Sequence, residues 1–312
     1  MGKLINLKHL YVWYCDQLKY LPKGIGSLKS LQALDRFPVS GHGDDVEDDE
    51  VLKLGDLGIM DQLQGRLWIK GLGNAKDASE VEKAQLGNKK HLSDLVLEFR
   101  EGNEEQRESD EEMLKALQPH QNLERLTIWN CHYTTWPLYR IQSLHNLRQV
   151  ALVDWKFCEV LPPLGKLPSL EVLYIDSMNN VKKVGVEFLG IEEEIETFSA
   201  GILFPKLKHL CIGDMPNWEE WEGEIKDYSE ITIMPRLSFL RISWCPKLKG
   251  LPDFVCKITA LRSLEIRTCA ILEGDYEKDV GKEWAKISHI PNITIKSGKE
   301  TIVELPTGQF TK

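Results

Sequence analysis

The sequence predicts an α/β repeat fold: a horseshoe-shaped solenoid with a parallel β-sheet on its concave face and irregular loops and short helices on its convex face. Two observations carry this expectation. Apolar residues follow the spacing L-x-x-L-x-L-x-x-(N/C)-x-x-L that marks a leucine-rich repeat, as in Leu7, Leu10, Val12, Cys15, Leu18 and the closing Leu21-Pro22. The pattern also returns at a nearly fixed interval, 24 residues from Leu10 to Leu34, 24 from Leu126 to Val150, 23 from Val150 to Leu173 and 24 from Leu240 to Leu264.

Further units read Leu123, Leu126, Ile128, Cys131 with Trp136-Pro137, and then Leu147, Val150, Leu152, Trp155, Cys158 with Leu161-Pro162. After them come Leu170, Leu173, Ile175, Met178; Leu207, Leu210, Ile212, Met215; Leu237, Leu240, Ile242, Cys245 with Leu251-Pro252; and Leu261, Leu264, Ile266, Cys269. In each, a pair such as Leu126 and Ile128 alternates with outward neighbours at period two, which predicts a short strand with its apolar side chains in the core. Five cysteines, Cys15, Cys131, Cys158, Cys245 and Cys269, are expected to turn inward where strands end, a slot suited to a small apolar residue. Leu-Pro then turns the chain back along the convex side, because proline fixes φ and donates nothing to a ladder.

The whole chain, residues 1–312, reads as one solenoid with acidic loop insertions at 38–57 and 98–112 and a closing segment and tail at 273–312. The first insertion includes Asp44, Asp45, Glu47, Asp48 and Asp49, a run expected to be solvated. Between Leu72 and Leu92, the residues Ala78, Val81, Ala84 and Leu86 suggest a short amphipathic helix on the convex side. Where the interval stretches to 37 residues, from Leu173 to Leu210, and to 30, from Leu210 to Leu240, the extra residues (Glu192, Glu193, Glu194; Asp227, Tyr228, Ser229, Glu230) are read as outer loops. Near the end, Ile293 and Ile295 form a last strand-like pair.

Composition narrows the function. With 39 Lys+Arg against 48 Asp+Glu, a net charge of −9 disfavours nucleic acid as a partner. No stretch has the length and apolarity of a membrane span, and the start lacks the apolar region of a secretion signal. Seven scattered cysteines, an odd number without a C-x-x-C, point to a reduced compartment and so to the cytoplasm. No Gly-x-Ser-x-Gly, His-Glu-x-x-His or kinase signature occurs, so neither catalysis nor a cofactor is expected. Cys131 with His132, and His209 with Cys211, lack four-ligand zinc spacing, and no metal is expected. Asn292-Ile293-Thr294 is read as a chance glycosylation triplet.

What remains is recognition. The residues expected to line the concave face are Tyr11, Trp13, Tyr14, Trp68, Arg125, Thr127, Trp129, Tyr174, Asp176, Arg241, Trp244, Glu265 and Arg267, with Lys70, Ala151 and Val153 beside them. Tryptophan, tyrosine and arginine are the types enriched at binding hot spots. Packing of these aromatics on one another is the alternative role. Cys211, between Leu210 and Ile212, is expected to face outward as an inert surface thiol.

Several longer motifs sharpen this reading: Gly71-Leu72-Gly73-Asn74-Ala75-Lys76-Asp77-Ala78, Asn88-Lys89-Lys90-His91-Leu92, Phe204-Pro205-Lys206-Leu207-Lys208 and Met215-Pro216-Asn217-Trp218-Glu219-Glu220-Trp221. Cys245-Pro246-Lys247-Leu248-Lys249-Gly250-Leu251-Pro252 and Trp284-Ala285-Lys286-Ile287-Ser288-His289-Ile290-Pro291 complete the set. On these motifs, spread over nearly the whole chain, the sequence resembles the C-terminal leucine-rich-repeat domain of plant nucleotide-binding leucine-rich-repeat immune receptors of the coiled-coil class. The resemblance implies innate immunity as the setting. Its implied partners are proteins: a pathogen effector, a guarded host protein, or the receptor's own nucleotide-binding module. Nucleotide binding is not carried over, since Ser297-Gly298-Lys299-Glu300 does not complete a phosphate loop. Because Gly2-Lys3-Leu4-Ile5-Asn6-Leu7 already reads as repeat interior, the chain is expected to be a fragment or truncated product. The alternatives are a substrate adaptor of a ubiquitin ligase and a stand-alone decoy.

Overall fold

The computed structural model describes residues 4–15, 17–41, 50–100, 102, 107–132, 143–191, 201–222 and 231–298. Its strands are β1 (His9–Leu10), β2 (Ala33–Leu34), β3 (Arg36–Pro38), β4 (Gln64–Lys70), β5 (His91–Glu98), β6 (Arg125–Trp129), β7 (Gln149–Val153) and β8 (Val172–Asp176). They continue with β9 (Lys183–Val184), β10 (Gly201–Leu203), β11 (His209–Gly213), β12 (Glu220–Trp221), β13 (Ile231–Ile233), β14 (Phe239–Ser243), β15 (Ser263–Arg267) and β16 (Asn292–Lys296). The strands β3 to β8, β11 and β14 to β16 form one ten-stranded sheet whose spatial order is the chain order, and every pairing in it is parallel. That is the ladder of a leucine-rich-repeat solenoid, and it excludes a closed barrel.

The register explains why the sequence folds this way. Leu67, Leu95, Leu126, Val150, Leu173, Leu210, Leu240 and Leu264 stand in one row across the sheet, and Ile69, Leu97, Ile128, Leu152, Ile175, Ile212, Ile242 and Ile266 in a second. All are buried, each burial contributing about 1.5–3 kcal/mol. Ile293 and Ile295 extend both rows on β16, where they are half-buried against the core.

The strands β6, β7, β8, β11, β14 and β15 then end alike. Asn130, Asp154, Ser177, Asp214, Trp244 and Thr268 all take a left-handed conformation, with φ between 46° and 59°. Each donates its N–H to the last strand carbonyl of the next repeat, as in Asn130 to Val153 at 3.0 Å and Trp244 to Arg267 at 2.9 Å. Asparagine and aspartate tolerate this region best; Trp244 and Thr268 occupy it at a conformational cost that the flanking ladder offsets. The next residue enters the core: Cys131, Trp155, Met178, Met215, Cys245 and Cys269 are all buried.

Two cysteines depart from expectation. The turn slot of the third quoted unit holds Trp155, whose indole N–H donates to the Ile128 carbonyl at 3.3 Å, while Cys158 is buried in the following turn. Burial pushes the Cys158 thiol up to about 12. Cys15, in the first turn, is exposed.

Three further differences concern the loops. The second inward residue after Leu34 is Phe37, not residue 36, because the chain passes at Asp35 from β2, paired with β1, to β3, paired with β4. The Asp35 carboxylate sits at that step and accepts from the Val12 N–H at 2.8 Å. The acidic stretch 98–112 is not all loop. Helix α2 (Arg107–Ala116) follows the expected convex helix α1 (Ala78–Lys83) and buries Asp110, Met113, Leu114 and Leu117 at helical spacing. Asp110 Oδ2 accepts from the His132 N–H at 3.0 Å and lies 2.7 Å from His132 Nδ1, which ties α2 to the turn after β6. In the longer units β10 pairs with β13 and β9 with β12, making two small ribbons outside the main sheet. Helices α3 (Asp253–Cys256), α4 (Ala270–Asp275) and α5 (Trp284–Ile287) lie in the C-terminal repeats, α4 running into the expected closing segment and α5 within it. Residues 42–49, Trp136-Pro137, Glu192 to Glu194, Asp227 to Glu230 and the tail from 299 fall outside the described residues.

Candidate recognition surface

On the side of the sheet opposite the core, the strand register generates three parallel rows. The first holds Arg66, Asp94, Arg125, Gln149, Val172, His209, Phe239, Ser263 and Asn292. A middle row holds Trp68, Val96, Thr127, Ala151, Tyr174, Cys211, Arg241, Glu265 and Thr294, with Arg36 in register before Trp68. Lys70, Glu98, Trp129, Val153, Asp176, Gly213, Ser243, Arg267 and Lys296 make up the third.

Nine of the thirteen expected surface residues therefore stand in these rows. Tyr11, Trp13, Tyr14 and Trp244 stand outside them. Tyr11 and Tyr14 follow β1 and are 67% and 90% exposed, and Trp244 occupies the left-handed turn after β14. Thr127 keeps its row but is only 2% exposed, because its short side chain lies between Val96 and Ala151 on a concave surface. Cys211 likewise faces the concave side without being exposed, flanked in register by Tyr174 and Arg241. Burial raises its thiol to about 11, which keeps it protonated and unreactive at neutral pH.

The rows differ in chemistry along the solenoid. At the start, the Trp13 and Trp68 rings meet edge-on with centroids 5.6 Å apart, and Trp68 meets Trp129 at 5.9 Å. The Arg36 guanidinium lies 4.3 Å from the Trp68 ring centre and the Arg66 guanidinium 4.6 Å from that of Trp13, both within cation–π range. Asp94 Oδ2 receives Arg125 Nε at 3.1 Å, with Arg66 Nε at 3.8 Å. Arg36, Arg66 and Asp94 were absent from the expected set. Register would have found Arg66 and Asp94, since they occupy the position of Arg125, one residue before the first inward leucine.

The middle repeats are acidic. Ser177 Oγ lies 3.0 Å from Asp176 Oδ2 and 2.9 Å from Asp214 Oδ2. Burial raises the Asp176 carboxyl above its ordinary range; the Ser177 and Tyr174 hydroxyls oppose the shift and Asp214 and Asp154 add to it. Burial and the Asp176 carboxylate together keep the Tyr174 hydroxyl far above the usual phenol range. Gly213 makes room for this arrangement, as a Cβ there would stand 2.6 Å from Asp176 Oδ1. Towards the C-terminus, Glu265 Oε2 joins Arg241 Nε at 2.9 Å and Arg267 Nη2 at 3.0 Å, so one carboxylate neutralises two guanidiniums in part.

A parallel ladder with period-24 inward leucines and an open concave face defines a leucine-rich-repeat protein, a protein-interaction fold. Its family follows from comparison with known proteins. Residues 54–178 match the family described as R13L1/DRL21 LRRs. The chain is 28% identical over 268 residues to Putative disease resistance RPP13-like protein 1 of Arabidopsis thaliana, covering 83% of this chain and 24% of that protein. It is 33% identical over 242 residues to Putative disease resistance protein At3g14460 of the same plant, covering 72% of this chain and 16% of the relative. Residues 54–178 thus carry the repeats of that family, the relatives matched over most of the chain are plant disease resistance proteins, and the chain spans about a quarter or less of the length of these two. Among solved structures, the leucine-rich repeat domain of the type III effector XCV3220 (XopL) matches with a TM-score of 0.41 at 16% identity, over 68% of this chain and 71% of that one. Among the described residues, no helix is long and apolar enough to cross a membrane.

Proposed function

We propose that this chain is the recognition module of a plant immune receptor, binding a protein through its concave face without catalysing a reaction. The partner is a pathogen effector, a guarded host protein or the receptor's own nucleotide-binding module, in the cytoplasm. The observation that carries this reading is the continuous three-row surface, which carries Trp68, Trp129 and several arginines, has Trp13 and Trp244 at its edge, and is backed by a fully buried core. The names of the relatives support its immune setting. Seven free cysteines agree with a reduced compartment.

The test replaces Trp13, Trp129 and Trp244 with alanine and measures binding to the nucleotide-binding module or to a candidate effector. A loss of at least tenfold is expected, with circular dichroism unchanged. Unchanged affinity in a folded variant sinks the reading.

A further inference from the structure

We propose that the first four rungs of the concave face, β3 to β6, form a subsite for an acidic segment of the protein partner, whose carboxylates are taken up by the Trp68 and Trp129 indole N–H groups and by Arg66. This deepens the recognition reading and rests on it.

Three donors carry the proposal. Trp68 Nε1, Trp129 Nε1 and Arg66 Nε are buried and have no hydrogen-bond acceptor among the described residues. Asp94 is the carboxylate that approaches Arg66, and at 3.8 Å from Nε it is beyond hydrogen-bond reach. A native structure seldom leaves buried donors unmet, and here three occur on β4 and β6 within one set of ring contacts. Groups that only donate require a partner that only accepts, and an ionised carboxylate is such a group.

Space and charge agree. Next to Arg66 lies a hollow of about 510 Å³ lined also by His9, Tyr11, Asp35, Gln64, Gly65 and His91. A β-bulge between Gly65 and Arg66 opens it. Gly65 is left-handed there, with φ +74° and nothing within 4 Å of where a Cβ would stand. Arg66 thus borders both the hollow and the ring stack. On these rungs Arg36, Arg66, Lys70 and Arg125 face Asp35, Asp94 and Glu98, four cations against three carboxylates in a chain of net charge −9. Asp35 is engaged by the Val12 N–H and Asp94 by Arg125. Farther along, Asp154, Asp176 and Asp214 would repel an acidic segment, and Glu265 already occupies Arg241 and Arg267. The acidic segment is therefore confined to the first rungs.

The experiment titrates the ¹⁵N-labelled chain with a deca-glutamate peptide and, separately, with deca-lysine, following the indole N–H resonances. Saturable shifts of Trp68 and Trp129 with deca-glutamate alone are expected, weakening as salt rises. Trp68→Phe with Trp129→Phe keeps rings in the stack but removes both donors, and should lower the affinity at least tenfold. If that pair does not fold, Arg66→Gln should give a loss of the same order. No indole response, an equal response to deca-lysine, or shifts confined to β14 and β15 overturns the proposal. Protection of the concave rungs by a partner protein without an indole response to deca-glutamate removes the acidic subsite and leaves the recognition reading intact. An indole response without protection by any partner does the reverse.

Discussion

Two stretches of one sheet, built on the same inward leucine ladder, handle their outward polar groups in opposite ways. On β14 and β15, the single carboxylate of Glu265 meets both guanidiniums, Arg241 at Nε and Arg267 at Nη2. On β4 to β6, aromatic rings and guanidiniums stack, and indole and guanidinium donors stay unmet. The difference teaches that a repeat fold fixes where side chains stand and not whether they are satisfied. Guanidiniums already drawn to a carboxylate of the chain have less to offer a ligand, whereas unmet indole donors remain for one.

The largest expected effect lies beneath the first stretch. Asp110→Ala leaves the His132 ring nitrogen and N–H without their acceptor inside the protein, at a cost of about 3 kcal/mol. Because repeats contact chiefly their neighbours, amide exchange should accelerate in α2 and β6 and remain slow in β14 and β15. Equal acceleration in both would show that the two stretches unfold as one unit.

A smaller contrast separates the two arginine clusters themselves. Glu265→Ala strands two partly buried guanidiniums and should cost about 1–2 kcal/mol. Arg125→Ala removes a side chain 46% exposed to solvent and should cost less than about 1 kcal/mol. Urea midpoints of the two variants check this, and matching values would erase the distinction between a closed and an open stretch.

The smallest effect falls between the two regions. With its folded pKa raised above 3.8, Asp176 binds more protons in the native than in the unfolded chain. Its contribution to stability therefore falls as pH rises from about 3.8 through the folded value. Asp176→Asn should raise the stability at pH 7 by a few tenths to about 1 kcal/mol, an advantage that disappears below pH 3.8, where the carboxyl is protonated in both states. A variant no more stable than wild type at pH 7, by thermal melting, would show that the Ser177 and Tyr174 hydroxyls outweigh the burial.

Much of this architecture was legible in the residues. Leu126 with Ile128 and their counterparts carry two periods at once, two within a strand and about 24 between strands, and only stacked parallel strands satisfy both. What escaped was set by neighbours in space. Arg36 went unnoticed because the step at Asp35 moves the second inward residue to Phe37. Helix α2 was hidden by acidic composition, although Asp110, Met113, Leu114 and Leu117 keep a helical spacing. Cys211 shows that an outward direction on a concave surface does not imply exposure. The unmet indoles of Trp68 and Trp129 have no signature in sequence at all, since satisfaction is a property of what surrounds a group.

The left-handed residues that close six of the strands also bear on how this surface can vary. At Asn130, Asp154 and Trp244 the bridge to the next unit is made by the backbone N–H, so the side chain carries no part of it, whereas Ser177, Asp214 and Thr268 also bond through their side chains. The first three are thus sites where a mutation alters what a partner meets without altering the curve that presents it. Glycine, asparagine and aspartate pass most freely there, because the backbone conformation admits them at least cost.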